Sequence, residues 1–258
     1  MMPSTMCRDR LKKGCKIVIP LVFWLGVWQF AAMQVGQELL LPAPAAVWHS
    51  LQALAVTSEF WLSALYTLGR VVLGLLCGVV LGSLLAALTH FCKFADWLIS
   101  PAVRVIRATP VVSFILLVYL WVTRTNIPGV IAALMVLPVV WGNLTAGLAA
   151  VDTQLMEMAR AYRFGRWKTL RLIYLPSIRS HFISGLLTAF GLAWKSGVAA
   201  EVLCPPKYAI GTRVQQAKTA LETPELFAWT LVLIVLSLAL ELLLRTVLRR
   251  REGVVCSK

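Results

Sequence analysis

The chain has 258 residues, of which 14% are charged and 59% are apolar, and its mean hydropathy is +0.80. An ordinary soluble chain carries about 25% charged residues, and a water-facing surface cannot cover this much apolar side chain, so a soluble protein is excluded. The 25 Lys and Arg residues against 11 Asp and Glu residues give a net charge of +14. This charge leaves two classes open, a nucleic-acid-binding protein and a membrane protein with basic inner loops.

The first predicted elements are a basic segment over residues 1–16 and a transmembrane helix over residues 17–36. Five basic residues precede the uncharged run Ile17–Met33, and a helix needs ~20 largely apolar residues to cross a hydrocarbon core of ~30 Å. No small-residue cleavage site follows the run, so we expect a retained span and not a removed signal peptide.

Residues 37–58 predict a short amphipathic helix at the outer membrane surface. The stretch Gly36–Phe60 contains no Lys or Arg, and Val47, Leu51 and Leu54 recur at helical spacing after the proline-rich Leu41–Pro44.

Residues 59–245 contain five further predicted spans, and a basic tail follows over residues 246–258. The first of these five ends before Lys93, and the next is short and begins close to Pro110. The sequence thus predicts an all-α membrane protein with about six transmembrane helices. The five runs are Val71–Thr89, Ala108–Thr123, Ile127–Val151, Phe182–Leu203 and Leu226–Leu244.

The basic residues are distributed as the positive-inside rule requires if both termini are cytoplasmic. With that orientation, 19 of the 25 Lys and Arg residues fall in inner segments and four fall in outer segments. Because they are dispersed among the spans and form no single basic face or domain, nucleic-acid binding is disfavoured.

Two spans carry small residues at every fourth position, which lets helix backbones approach closely in lipid. We expect both spans to be tightly packed inner helices. The residues are Gly74, Gly78, Gly82 and Ala86 in one span, and Gly185, Ala189, Ala193 and Gly197 in the other.

Three of the charged residues in or at the edge of the spans are candidates for a pathway or a buried charge: Arg70, Lys195 and Glu201. Lys195 and Glu201 are about 120° apart on one helix, so we expect each to find its partner elsewhere, with Arg70 the candidate for Glu201. Two interpretations stay open: these residues line a polar pathway, or they form a structural ion pair and reach towards the membrane surface.

The inner segment 152–181 predicts a basic amphipathic loop suited to anionic lipid or to a cytoplasmic protein. Asp152 can cap a helix that places Leu155, Ala159 and Tyr162 on one face. The helix is expected to break near Gly165, and a second helical segment leads to Leu175-Pro176.

This loop resembles the E-A-A…G…L-P signature of permease subunits in ATP-binding-cassette (ABC) importers. Glu157, Ala159 and Leu175-Pro176 follow the pattern, whereas Met158 replaces an alanine and Arg163 replaces the signature glycine, with Gly165 two positions later. Further motifs are similar to the subgroup that imports nitrate, sulfonates such as taurine, and related molecules: Leu41–Pro44, Arg107–Pro110, Asn143–Gly147, Ala193–Lys195 and Ala199–Leu203.

The resemblance implies the type I importer permease fold in a bacterial plasma membrane, with two permease copies around a pathway for a small solute, either an anion of the sulfonate or nitrate type or a related organic molecule. It further implies a cytoplasmic ATPase subunit that binds ATP and Mg²⁺, and an extracytoplasmic solute-binding protein. The ATPase-coupling residues would be Met156, Glu157, Met158, Ala159, Arg160, Arg163, Gly165 and Arg166.

Other classes of function find less support in the sequence. The chain has no G-x-x-x-x-G-K-[ST] phosphate loop, so it is not expected to hydrolyse ATP itself. Its six cysteines and three histidines form no metal-binding motif, and the spans contain no catalytic carboxylate pair. A secondary transporter without an ATPase is the alternative, although no internal repeat and no acidic residue near the middle of a span supports it.

Overall fold

The computed structural model describes the backbone of residues 4–253 and the side chains of residues 18–248. Every regular element in the described part of the chain is helical, which confirms the predicted all-α class. The side chains of the basic segment 1–16 and of residues 249–258 lie outside the described residues. The helices are α1 (Ser4–Val35), α2 (Pro44–Ala55), α3 (Ser58–Phe91), α4 (Lys93–Ala108), α5 (Val111–Val118), α6 (Ile127–Ala149), α7 (Thr153–Ala161), α8 (Arg166–Thr169), α9 (Leu175–Leu203), α10 (Ile210–Ala220) and α11 (Thr223–Gly253), with a π-helical turn, Leu170–Tyr174, between α8 and α9.

Five stretches of helix are long and apolar enough to cross a membrane, and a bent pair of helices raises the number to six if it counts as one span. The predicted number of about six is therefore confirmed. The five are Val18–Val35, Ser58–Phe91, Ile127–Ala149, Arg166–Leu203 and Thr223–Leu248.

The helix of the span predicted over Ala108–Thr123 begins at Val111, next to Pro110 as expected, but it ends already at Val118 and forms a bent pair with α4. Helix α4 ends at Ala108, and the chain turns by 106° before α5 begins at Val111. The cause is Pro110, which disfavours a helical conformation in the residue before it, so Thr109 is extended (φ −79°, ψ 132°). Helix α5 has only eight residues, or about 12 Å, and cannot cross a hydrocarbon core alone.

The described chain divides into two compact units. One consists of the described residues of Met1–Phe60 together with Arg213–Val232. Here the Trp28 indole N–H donates to the Pro42 carbonyl oxygen at 3.1 Å, and the Trp28 ring stacks on Phe227 with centroids 5.9 Å apart. These contacts fix α1 to the segment before α2 and to the start of α11.

The second unit, Trp61–Thr212 with the described part of Leu233–Lys258, has α6 in its core. Helix α3 packs against α6 through its small-residue ridge: a Cβ atom added at Gly78 would lie 2.7 Å from the Ala133 carbonyl oxygen, and one at Gly82 would lie 2.8 Å from that of Leu137. A Cβ at Gly74 would collide with the Gly129 carbonyl oxygen. The backbones of α3 and α6 are therefore in direct contact.

Helix α9 packs against the same unit through the second ridge. Ala189 and Ala193 are fully buried, and a Cβ added at Gly185 would lie 2.8 Å from the Asn143 Cβ atom. A Cβ at Gly197 would lie 2.8 Å from a methyl group of Val71, which joins α9 to α3. Close helix approach, as expected from the spacing of small residues, is thus present at both ridges.

Candidate functional site

A buried charge cluster joins the N-terminal half of α3 to the C-terminal end of α9. Glu201 is fully buried, and its carboxylate accepts hydrogen bonds from the Thr67 hydroxyl at 2.8 Å, the Arg70 guanidinium at 3.3 Å and the Gly211 backbone N–H at 3.2 Å. The partner expected for Glu201 is therefore present. Three donors compensate the cost of burying this carboxylate.

The same cluster holds the segment between α9 and α10. Arg70 also donates to the Tyr208 carbonyl oxygen at 2.7 Å, and the Ile210 N–H donates to the Thr67 hydroxyl at 2.9 Å. The Tyr66 and Tyr208 rings stack with centroids 5.7 Å apart, and the Arg70 guanidinium lies over the Tyr66 ring at 5.6 Å. The sequence identified Arg70 and Glu201 but missed Thr67, which lies on the same helix face three residues before Arg70.

No charged partner for Lys195 lies among the described side chains, and the expected partner elsewhere stays a prediction. The Lys195 side chain is exposed. The reason is the helix face: Gly197 and Glu201 are buried, whereas Lys195 points away from them. Ser184 and Thr188 are exposed in line with Lys195, so α9 carries a polar stripe along a membrane-spanning helix.

The inner loop forms a short helix, α7, as its sequence predicts. The Asp152 carboxylate accepts from the Gln154 N–H at 2.8 Å and caps the helix. The face predicted for Leu155, Ala159 and Tyr162 is divided, because Ala159 is buried whereas Leu155 and Tyr162 are exposed together with Met158. Ala159 is therefore the part of this face that packs against the rest of the chain, whereas the larger apolar side chains of α7 remain exposed.

Arg163 occupies a backbone position that favours glycine. The Arg163 N–H donates to the Arg160 carbonyl oxygen at 3.0 Å, and the Phe164 N–H donates to that of Ala159 at 2.8 Å, which are the two bonds of a Schellman C-cap. Arg163 has φ +51°, in the left-handed region, whereas Gly165 has φ −65° and is the N-cap of α8. The signature glycine is thus replaced at the residue with the left-handed backbone, and Gly165 does not take over that role.

Replacing Arg163 by Gly is expected to stabilise this turn by about 1 kcal/mol, because a non-glycine residue pays for the left-handed conformation. Hydrogen exchange of the amides of residues 159–166 should become slower in Arg163→Gly. The matched control is Arg160→Gly, which removes the same charge from a helical position and should accelerate exchange. Faster exchange in both variants would show that Arg163 is not strained.

One continuous helical rod connects the inner loop with the buried charge cluster. The rod runs from Arg166 to Leu203 and contains the π-helical turn Leu170–Tyr174. Pro176 follows this turn and lacks the N–H that would bond to the Leu172 carbonyl oxygen in a regular α-helix. The π-helical turn lies between the short helix α8 and the long helix α9, close to the inner-loop end of the rod.

The cysteines provide no sign of a metal or disulfide site in the described region. Cys77, Cys92 and Cys204 are free thiols, and no three His, Cys, Asp or Glu side chains among the described residues are placed to hold a metal ion. Cys7, Cys15 and Cys256 lie outside the described side chains.

The long apolar helices of the described chain define a multi-pass membrane protein. The chain belongs to the family described as binding-protein-dependent transport system inner membrane component, whose model matches residues 78–253. The family relationship predicted from the loop motif and the five further motifs is thereby confirmed.

Several relatives and one solved structure are similar over most of the chain. The putative aliphatic sulfonates transport permease protein SsuC of Bacillus subtilis is 24% identical, over 84% of this chain and 78% of its own length. The taurine transport system permease protein TauC of Escherichia coli is 25% identical (91% and 86%), and the nitrate import permease protein NrtB of Synechococcus elongatus is 26% identical (78% and 78%). A chain of a bacterial ABC transporter that imports the polysaccharide alginate has the same fold, with a TM-score of 0.63 at 17% identity over 93% of this chain and 99% of that chain.

Proposed function

We propose that this permease forms the pathway of an ATP-driven importer for a small anionic solute and is coupled to a separate ATPase subunit through residues 156–166. Two copies of the chain enclose the pathway, and an extracytoplasmic solute-binding protein delivers the solute. ATP and Mg²⁺ bind to the ATPase subunit. Closure of the ATPases on ATP shifts the permease between outward-facing and inward-facing states.

The exposed apolar face of α7 is the observation that carries the coupling proposal. Leu155, Met158 and Tyr162 are 39%, 42% and 73% exposed and lie on one side of the helix. Glu157 and Arg160, also exposed, lie towards the opposite side of the helix and supply charges of both signs. An exposed apolar strip on an amphipathic helix is typical of a helix that docks into a groove of another protein.

The rod from Arg166 to Leu203 supports transmission of the ATPase motion. Helix α7 is joined to this rod by only four residues, Tyr162–Gly165, which the Schellman cap holds in a defined turn. A displacement of α7 therefore moves one end of the rod, and Glu201 lies close to its other end. Movement of the ATPase subunit can thus be transmitted along this one helical rod to the buried charge cluster.

The polar stripe on α9 supports an anionic solute. An uncompensated lysine at membrane depth costs several kcal/mol unless it faces water or a partner. Lys195, Thr188 and Ser184 are exposed on one helix face, which suits the wall of a water-filled pathway enclosed by a second copy. The names of the relatives, which refer to sulfonates, taurine and nitrate, agree with a positive charge in that wall.

Reversing the charge at Glu157 tests the coupling proposal. Glu157→Lys is expected to reduce the ATPase subunit that co-purifies with the tagged permease by more than about tenfold, because a misplaced charge at a docking surface costs several kcal/mol. Glu38→Lys is the matched control, since Glu38 is also exposed but lies in the predicted outer segment. Equal recovery of ATPase with both variants and the unmodified chain would refute the role of this loop.

A further inference from the structure

An apolar cavity with a basic mouth lies beside the π-helical turn, on the side of the unit where α3 ends. The cavity has a volume of about 670 Å³ and is lined by aromatic and apolar side chains, including Phe91, Trp167 and Tyr174. This volume is in the range of ligand-binding pockets. Arg166 is the one charged residue in the lining, and it forms no ion pair with the described side chains.

A second cavity of about 240 Å³ continues this one into the membrane-spanning part of the unit. The two cavities share Phe91, Leu170 and Tyr174 in their linings, and the second extends along α3 to Ser83. The eight residues from Phe91 to Ser83 correspond to about 12 Å of helix. The two adjoining cavities form an apolar groove along α3 that is open to the surface, since Ala87 and Phe91 in its lining are exposed.

The charges at the mouth are all basic. Lys168 lies next to the cavity, with its ammonium group 4.4 Å from the centre of the Phe164 ring, and Arg171 is exposed on the following turn. No acidic residue lines either cavity. A ligand that matches this site has an anionic head group and a long apolar tail. Exposed aromatic side chains such as Trp167 are typical of the membrane interface.

We infer that this groove binds an anionic phospholipid, with one acyl chain between Phe91 and Ser83 and the phosphate at Arg166. A cytoplasmic protein could cover the mouth but could not enter a groove that runs about 12 Å into the spans, which is why a lipid is the occupant that the geometry favours. Because Leu170 and Tyr174 belong to the π-helical turn, the bound lipid touches the irregular part of the rod. The site shares Arg166 with the segment proposed for coupling, so the lipid measurements start from the permease without an ATPase subunit.

Native mass spectrometry of the detergent-purified full-length chain tests the site, with phosphatidylglycerol and phosphatidylcholine as probes. Phosphatidylglycerol should be retained preferentially, and Arg166→Gln should lower its retention about fivefold, as expected for loss of one basic contact near a membrane surface. Arg245→Gln removes the same charge from α11 at a position that lines neither cavity, and it should leave retention unchanged.

A second variant fills the groove without touching its mouth. Ala87 lines the deeper cavity, so Ala87→Phe should abolish the preferential retention, whereas Val80→Phe, at an exposed position outside the lining, should not. Equal retention of the two lipids, or equal losses in Arg166→Gln and Arg245→Gln, would overturn the inference. Displacement of the lipid from the groove by an added ATPase subunit would assign the groove to a protein interface and would likewise overturn it.

Discussion

Glu201→Ala is expected to destabilise the chain by about 3–5 kcal/mol, because it removes one partner of a buried ion pair and leaves the other uncompensated. Three donors lose their acceptor at once: the Thr67 hydroxyl, the Arg70 guanidinium and the Gly211 N–H. The segment after α9 should loosen as well, since Arg70 also holds the Tyr208 carbonyl oxygen. Thermal unfolding in detergent and the rate of tryptic cleavage after the exposed Lys207 measure the two effects.

The control for this change is Glu241→Ala. Glu241 pairs with Arg245 at 2.7 Å on the exposed surface of α11, where both side chains are more than a third accessible. Such a pair contributes at most about 1 kcal/mol, so this variant should unfold close to the unmodified chain and be cleaved at the same rate. If Glu201→Ala behaved like Glu241→Ala, the buried cluster would not stabilise the contact between the N-terminal half of α3 and the C-terminal end of α9.

Gly78→Leu is expected to prevent the close approach of α3 and α6 and to cost about 3 kcal/mol or more. A Cβ atom at this position already meets the Ala133 carbonyl oxygen at 2.7 Å and the Val136 Cβ atom at 2.6 Å. Because one of these is backbone, the strain is not relieved by a side-chain rotation. The variant should give little folded protein by size-exclusion chromatography and should unfold at a lower temperature.

Gly69→Leu provides the matched control on the same helix. Nothing in the described structure lies within 4 Å of a Cβ atom at Gly69, so the same substitution should be accommodated there. Similar yields and unfolding temperatures for the two variants would show that the small-residue ridge of α3 does not set the distance to α6.

The long spans could be predicted from the sequence because they depend on local composition alone. The predicted run Ile127–Val151 matches α6 to within two residues at both ends, and the run Phe182–Leu203 ends at the same residue as α9. The ridge of Gly74, Gly78 and Gly82 faces α6, as its spacing requires. Helix α4 was not predicted because most of its residues lie between the runs Val71–Thr89 and Ala108–Thr123, although Ala95 and Val103 are buried on one face of it.

The parts that could not be predicted depend on contacts between distant segments. Thr67 is one of several threonines in apolar helices, and nothing local shows that it lies beside Glu201, 134 residues later in the chain. The Tyr208 carbonyl and the Gly211 N–H are backbone groups that carry no sequence signal. Arg163 is different, because the family signature already shows that this residue replaces a glycine. The positive φ of Arg163 then explains why glycine is favoured there.

The most direct test of the proposed function is solute uptake by liposomes that contain the permease, its ATPase subunit and the solute-binding protein, with taurine, an alkyl sulfonate and nitrate as separate probes. The proposal predicts uptake of at least one anion that requires ATP on the side of the ATPase, and loss of that uptake when the permease carries Glu157→Lys. Uptake by the permease alone, driven by an ion gradient and unaffected by removal of ATP, would contradict it and would identify a secondary transporter.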